Sequence, residues 1–225
     1  MLAGVDGIRN GWIAAILRED GSTEVKKFPT FRSLKDDRTL ELIVIDIPIG
    51  LPDYGARACD QETRKRLGQP RGCSVFPAPI RSMLKAHDWE DACRIRLEVE
   101  GKKCSKQVAA ILPKIREVDE EMTGDLQTCV REGHPEVSFS IMNGERPMAS
   151  PKKTRQGKLE RLTLLMPCFP DIEKHLQSER RAVSVDILDA YACLWTAKRI
   201  ASNQAKSFPK DRIQDGVGLI MEIMA

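Results

Sequence analysis

Aromatic residues are scarce in this chain, with three Trp, two Tyr and six Phe among 225 residues, so an extended platform for stacking unpaired bases is not expected. A charge excess is also missing. The 36 Lys and Arg barely outnumber the 33 Asp and Glu, and a formal net charge of +3 is too weak a field to draw nucleic acid from afar, so any basic surface must be local. The seven cysteines stand singly, at positions 59, 73, 93, 104, 129, 168 and 193, without a C-x-x-C pair or ligand-like spacing. That argues against structural zinc and for a reducing cytoplasm. No apolar run approaches the roughly 20 residues of a membrane helix, and "MLAGVDGIRNG" lacks a basic stretch followed by an apolar core. A cytoplasmic chain without membrane association or export is therefore expected. Repeats and low-complexity tracts are absent as well.

What is present is a hydrophobic content of 41%, enough for one large domain over residues 1–225. "LAGVDG" and "WIAAILRE" read as strands joined by the turn "GIRNG", and the turn "EDGS" leads into a third strand, "TEVKKF". A short helix near "FRSLKDD" precedes "LIVIDIPIGLP", whose dense aliphatic residues predict a strand buried on both faces. From about residue 53 to 124 the pattern becomes helical and charged, and is read as an insertion carrying helices in "ACDQETRKRLG", "DWEDACRIRLEVEG" and "SKQVAAILPKIREVDEEM". Strand character returns in "TCVREGHPEVSFSIMNG". Helical periodicity follows in "TRQGKLERLTLL", "DIEKHLQ" and "SVDILDAYACLWTAKRIASNQ". The expected class is α/β: a mixed central sheet flanked by helices, with a helical insertion after the fourth strand.

Two of these strands each carry one aspartate among aliphatic residues, Asp6 and Asp46. Either alone can end its strand and cap a turn. Together, as neighbours, they repel unless one is protonated or a cation lies between them, and hard oxygen ligands of this kind suit Mg²⁺ or Mn²⁺. Asp186 and Asp189, three apart, share a helix face. Ser184 as an N-cap, with Asp186 in the first turn, would explain that acid by helix electrostatics alone. Asp189 has no such account, because Leu188, Ala190, Ala192 and Cys193 around it read as buried. The small residues among them would let the helix approach a sheet closely.

In their order along the chain, "GVDGIRNGWIAA", "IDIPIGLPD", "ARACDQETRKRLG", "SVFPAPIR", "HPEVSF", "MNGERPMASPKKT" and "LDAYACLWTA" resemble a bacterial family of predicted ribonuclease H-like nucleases, family 429 of the domains of unknown function. The resemblance covers most of the chain. It implies a ribonuclease H-like fold in which Asp6, Asp46, Asp186 and Asp189 match the family's acids and Glu136, in "HPEVSF", occupies a further acidic position. This chain has Val185 then Asp186 where members often carry adjacent aspartates. The implied activity is divalent-metal-dependent hydrolysis of phosphodiester bonds, with nucleic acid as the partner and Asp6, Asp46, Asp186 and Asp189 holding Mg²⁺ or Mn²⁺.

Lys152 and Lys153 in "SPKKTRQGK" are candidate phosphate contacts, and Arg57, Arg64, Lys65, Arg66 and Arg71 at the start of the insertion form a second basic run; the default for such runs is a solvated face. His134 is read either as a structural histidine or as a group that orients water or touches phosphate. Ser74 has no identifiable base partner and the cysteines show no activating neighbours, so nucleophilic catalysis is discounted. Two other classes stay open. "DGIRNG" could serve as the phosphate-binding hairpin of an actin-like or sugar-kinase-type phosphotransferase, or the acids could be structural caps in a non-catalytic binding module.

Overall fold

The computed structural model describes residues 1–178 and 183–225. The opening meander is as expected. β1 (Leu2–Ile8) and β2 (Gly11–Leu17) pair antiparallel across the turn at Arg9 and Asn10, and β3 (Thr23–Phe28) pairs antiparallel with β2. The short helix α1 (Phe31–Lys35) is set by a capping box, with Thr30 Oγ1 accepting from the Ser33 N–H at 3.1 Å and Ser33 Oγ accepting from the Thr30 N–H at 3.3 Å. β4 (Leu42–Ile45) returns parallel to β1 on its free side.

The segment that follows carries α2 (Ala58–Arg71), α3 (Trp89–Glu100) and α4 (Lys106–Asp119) with short 3₁₀ turns between. β5 (Val130–Glu132) then pairs parallel with β4, which completes a mixed five-stranded sheet of order β3-β2-β1-β4-β5. Among the described residues, four α-helices come next: α5 (Pro135–Met142), α6 (Arg155–Leu165), α7 (Ile172–Ser178) and α8 (Ser184–Ala201). The small ladder of β6 (Ser207–Phe208) with β7 (Ile223–Met224) closes the chain. No helix of the described residues is long and apolar enough to cross a membrane.

Both faces of the sheet are buried, and the alternation of side chains assigns each residue to one of them. Ala3, Val5, Ile43 and Ile45 join Trp12, Ala14 and Ile16 in a core covered by Phe31 and Leu34 of α1 and Ile115 and Val118 of α4. On the opposite face Ile13 and Ala15 meet Phe139, Phe169, Ile187 and Tyr191, while Leu42 and Val44 meet Cys193 and Ala197. Helix α8 therefore lies directly on the strands. The contact is closest at Gly4, where a Cβ atom would stand 1.9 Å from the Leu194 nitrogen and 2.1 Å from the Ala190 oxygen. Only glycine fits there.

Two expectations are corrected by these elements. "HPEVSFSIMNG" is not strand: β5 ends at Glu132, and Pro135–Met142 is helical, with Pro135 in the first turn where its missing N–H costs nothing. The misleading signal is the alternation of Val137, Phe139 and Ile141 with Ser138 and Ser140. Both serines are buried all the same, and Ser138 Oγ shares a 2.8 Å hydrogen bond with Thr196 Oγ1, so the alternation does not mark a wet face. The buried strand of "LIVIDIPIGLP" also stops at Ile45, which makes Asp46 the first residue past the ladder and not a strand interior.

Candidate functional site

Register explains why Asp6 and Asp46 are neighbours. Val5 pairs with Ile45, and the Asp46 N–H donates to the Val5 carbonyl at 2.9 Å, so the next residue on each strand is an aspartate. Both share the parity of Gly4 and Val44 and point to the α8 side. Asp189, one residue before Ala190, is carried to the same place by the close approach of α8 at Gly4. Asp6, Asp46 and Asp189 each offer one carboxylate oxygen, and the three oxygens lie within 4.8 Å of one another.

These carboxyls resist ionisation. Burial pushes Asp6 well above the ordinary carboxylate range, and the charges of Asp46 and Asp189 push it further, against a partial offset from Lys152. Asp46 is raised by burial against the pull of His134 and Lys152, and Asp189 is raised by burial against the pull of Lys152. Asp6 Oδ1 accepts from the Gly7 N–H at 2.6 Å. Asp189 Oδ2 accepts from Lys152 Nζ at 2.6 Å, while Asp189 Oδ1, in a side chain with no solvent exposure, has no hydrogen-bond partner. Burial disfavours the charge on Lys152, yet Asp189, Asp46 and Asp6 outweigh it and hold the ammonium above its usual range. Lys152 is thus the cluster's internal counter-charge.

The other expected residues are placed differently. Asp186 is half-buried one helical turn from Asp189 and lies outside the trio; burial, then the charge of Asp189, raises its pKa to about 6. Ser184 does not cap α8, because Val183 occupies the N-cap position and Ser184 Oγ accepts from Lys158 Nζ at 2.6 Å. Glu136 is buried in α5, where its Oε1 accepts from Arg161 Nε at 3.0 Å and Nη2 at 2.5 Å, a pair that joins α5 to α6 beside Asp189. Glu136 Oε2 has no partner. Lys153 is exposed and takes no part in these contacts.

The basic run of the insertion is mostly consumed inside the protein. Arg57 is buried, donating through Nη1 and Nη2 to Glu132 at 2.7 Å each, and to Asp60 through Nη2 at 2.6 Å and Nε at 3.1 Å. Arg64 donates to the Val75 carbonyl, Arg66 pairs with Glu145, and Arg71 donates to the Met148 and Ala149 carbonyls. Lys65 alone of the five is an exposed group without a contact of this kind. Arg57 as a phosphate contact is corrected accordingly.

A cavity of about 250 Å³ adjoins the trio and is lined by Asp6 and Asp46, by His134 and Phe76, and by Gln107 and Lys114 of α4. His134 Nε2 lies 3.3 Å from the Ser74 carbonyl, which can only accept, so that nitrogen is a donor, and His134 Nδ1 is buried without a hydrogen-bond partner. Sequence reasoning missed the contribution of α4 and the Arg57–Asp60–Glu132 network, which also lines the cavity. Arg57 and Asp60 at i and i+3 gave a local hint. Their partner Glu132 is distant in sequence, and nothing local announces it.

A family model described as a protein of unknown function (DUF429) matches residues 4–213. Neither a curated protein nor a solved structure matches the chain.

Proposed function

The chain belongs to that family, whose description assigns no activity, and we propose that it is a divalent-metal-dependent nuclease on a ribonuclease H-like fold, hydrolysing phosphodiester bonds of nucleic acid. The observation that carries this reading is the convergence of Asp6 in β1, Asp46 just past β4 and Asp189 in α8, with oxygens within 4.8 Å. Such a trio is costly without a cation. Its donors are all hard oxygens, and Asp189 Oδ1, buried and without a hydrogen-bond donor, is the atom a cation would satisfy. The residues therefore fit Mg²⁺ or Mn²⁺, with Asp6, Asp46 and Asp189 as holders and Asp186 beside them. A bound divalent ion supplies Lewis acidity toward phosphoryl oxygens and lowers the pKa of water.

Hydrolysis adds water across one P–O ester bond, leaving a phosphomonoester on one fragment and a hydroxyl on the other. The chain's own part is positional. β1 and the end of β4 fix two carboxylates, α8 fixes the third, and Lys152 holds Asp189 in place while limiting the repulsion among them. His134 stands on the cavity wall near Asp46.

Nuclease assays with RNA, DNA and branched substrates test the proposal. Activity is expected with Mg²⁺ or Mn²⁺ and is lost in EDTA. Asp46→Asn keeps the shape of the side chain but removes its charge, and should lower the rate by at least about a hundredfold. In EDTA this variant should melt no lower than the parent, since burial and crowding already disfavour the ionised Asp46. Full activity in Asp46→Asn removes that carboxylate from the reaction.

A further inference from the structure

We infer that the cavity beside Asp6 and Asp46 is a subsite for a single nucleotide, which presents a strand end or an unpaired nucleotide to the carboxylates in preference to a continuous duplex. This rests on the nuclease reading above. At about 250 Å³ the cavity is near the lower bound of the roughly 300–1,000 Å³ usual for small-ligand sites. Its outer wall is one face of α4, where Gln107, Ala110, Ile111 and Lys114 recur at helical spacing. The wall is tied down. Lys114 Nζ donates to the Gly11 carbonyl at 2.6 Å and stands 4.2 Å from the centre of the Trp12 ring. Its stem packs over Gly7, where a Cβ atom would come within 2.9 Å of Lys114 Cδ. A continuous duplex is far wider than a cavity of about 250 Å³ and cannot enter between this wall and Asp46.

The lining matches one nucleotide in kind. Phe76 and Ile111 offer apolar surface to a base or sugar face, and the Gln107 amide offers a polar partner to a base edge or a hydroxyl. A track for a long phosphate backbone is not evident beside the cavity: the insertion's guanidinium groups are engaged within the protein, and its exposed lysines Lys65, Lys85, Lys102 and Lys103 do not line the cavity. Arg81 pairs with Asp119 and Asp215, Arg96 with Glu100, and Arg116 donates to the Leu84 and Ala86 carbonyls. Affinity that grows with strand length needs free cations to neutralise successive phosphates.

The test uses the full chain with Mn²⁺ and measures binding of adenosine monophosphate, a short single strand and a blunt duplex. Single strand and mononucleotide should bind within about threefold of each other, and the duplex at least about tenfold more weakly. A strand much weaker than the mononucleotide identifies the free nucleotide as the ligand, and near-equality identifies the strand end; both support the subsite. Ala110→Trp, at an exposed helix position on the wall, should fill the cavity, weakening nucleotide binding by about tenfold or more while leaving the Mn²⁺-induced rise in melting temperature intact. Duplex binding as tight as single-strand binding, or nucleotide binding unchanged in Ala110→Trp, overturns the subsite. A parent protein whose melting ignores Mn²⁺ contradicts instead the metal reading on which the subsite rests.

Discussion

Asp189 shows how a single position reveals the character of this site. It sits in the middle of a buried helix face with one oxygen bonded to Lys152 and the other to nothing, and an orphaned buried carboxylate oxygen costs on the order of 1–3 kcal/mol. Such an atom calls for a partner, and a cation between Asp6, Asp46 and Asp189 would be one. Asp186, one turn earlier, is the place to read the same field from outside. Its pKa rises from 3.8 to about 6, first through burial and then through the charge of Asp189. Because the folded protein holds this proton more tightly than the unfolded chain, the stability contributed by Asp186 is complete below about pH 4 and is lost as pH rises to about 6. Asp186→Asn removes that titration. In EDTA the variant should gain about 1 kcal/mol relative to the parent between pH 4 and pH 7, a figure reduced for the half-exposure of the side chain. Urea unfolding at the two pH values measures it.

Among the elements, the strands were the most legible. The glycines and asparagine of "GIRNG" announced the β1–β2 hairpin, and the apolar run announced β4. With Gly4 paired to Val44 in the β1–β4 register, alternation puts Asp6 and Asp46, just past β4, on one face, which needs no knowledge of the helices. Alternation failed at α5, because two buried serines, Ser138 bonded to Thr196 of α8 and Ser140 beside it, imitate a solvated strand face. The seating of α8 was half legible: Ala190, Ala192 and Cys193 predicted a close approach, but its counterpart Gly4 reads locally as ordinary strand glycine. Gly4→Ala tests that seat. A methyl group 1.9 Å from the Leu194 nitrogen must push α8 outward, so stability should fall by about 3 kcal/mol, at the upper end of what overpacking costs. Asp189 moves with the helix, and the melting response of the variant to Mn²⁺ should shrink at temperatures where circular dichroism still reports a folded protein.

For the whole molecule, the α/β class and the order of elements were legible, whereas the work of the insertion was not. Its charge suggested a solvated or phosphate-facing surface, and Arg57 instead forms a buried hub with Glu132 and Asp60. Partners of that kind lie 75 residues apart in the chain and are joined only by the fold. Three carboxylates gathered from opposite ends of the sequence, each harder to ionise than usual, make one coherent object if a divalent cation joins them. The most direct measurement is the melting temperature of EDTA-stripped protein titrated with Mn²⁺, for the parent and for Asp6→Asn, Asp46→Asn and Asp189→Asn. At a hundredfold excess over its dissociation constant, an ion bound only by the folded state adds about 2.7 kcal/mol, which for a chain of this size raises the midpoint by roughly 5 to 10 °C. The parent should show that rise and the three variants should lose most of it. Melting that is indifferent to Mn²⁺, Mg²⁺ and Ca²⁺, or variants that respond as the parent does, would contradict the carboxylate trio as a metal centre.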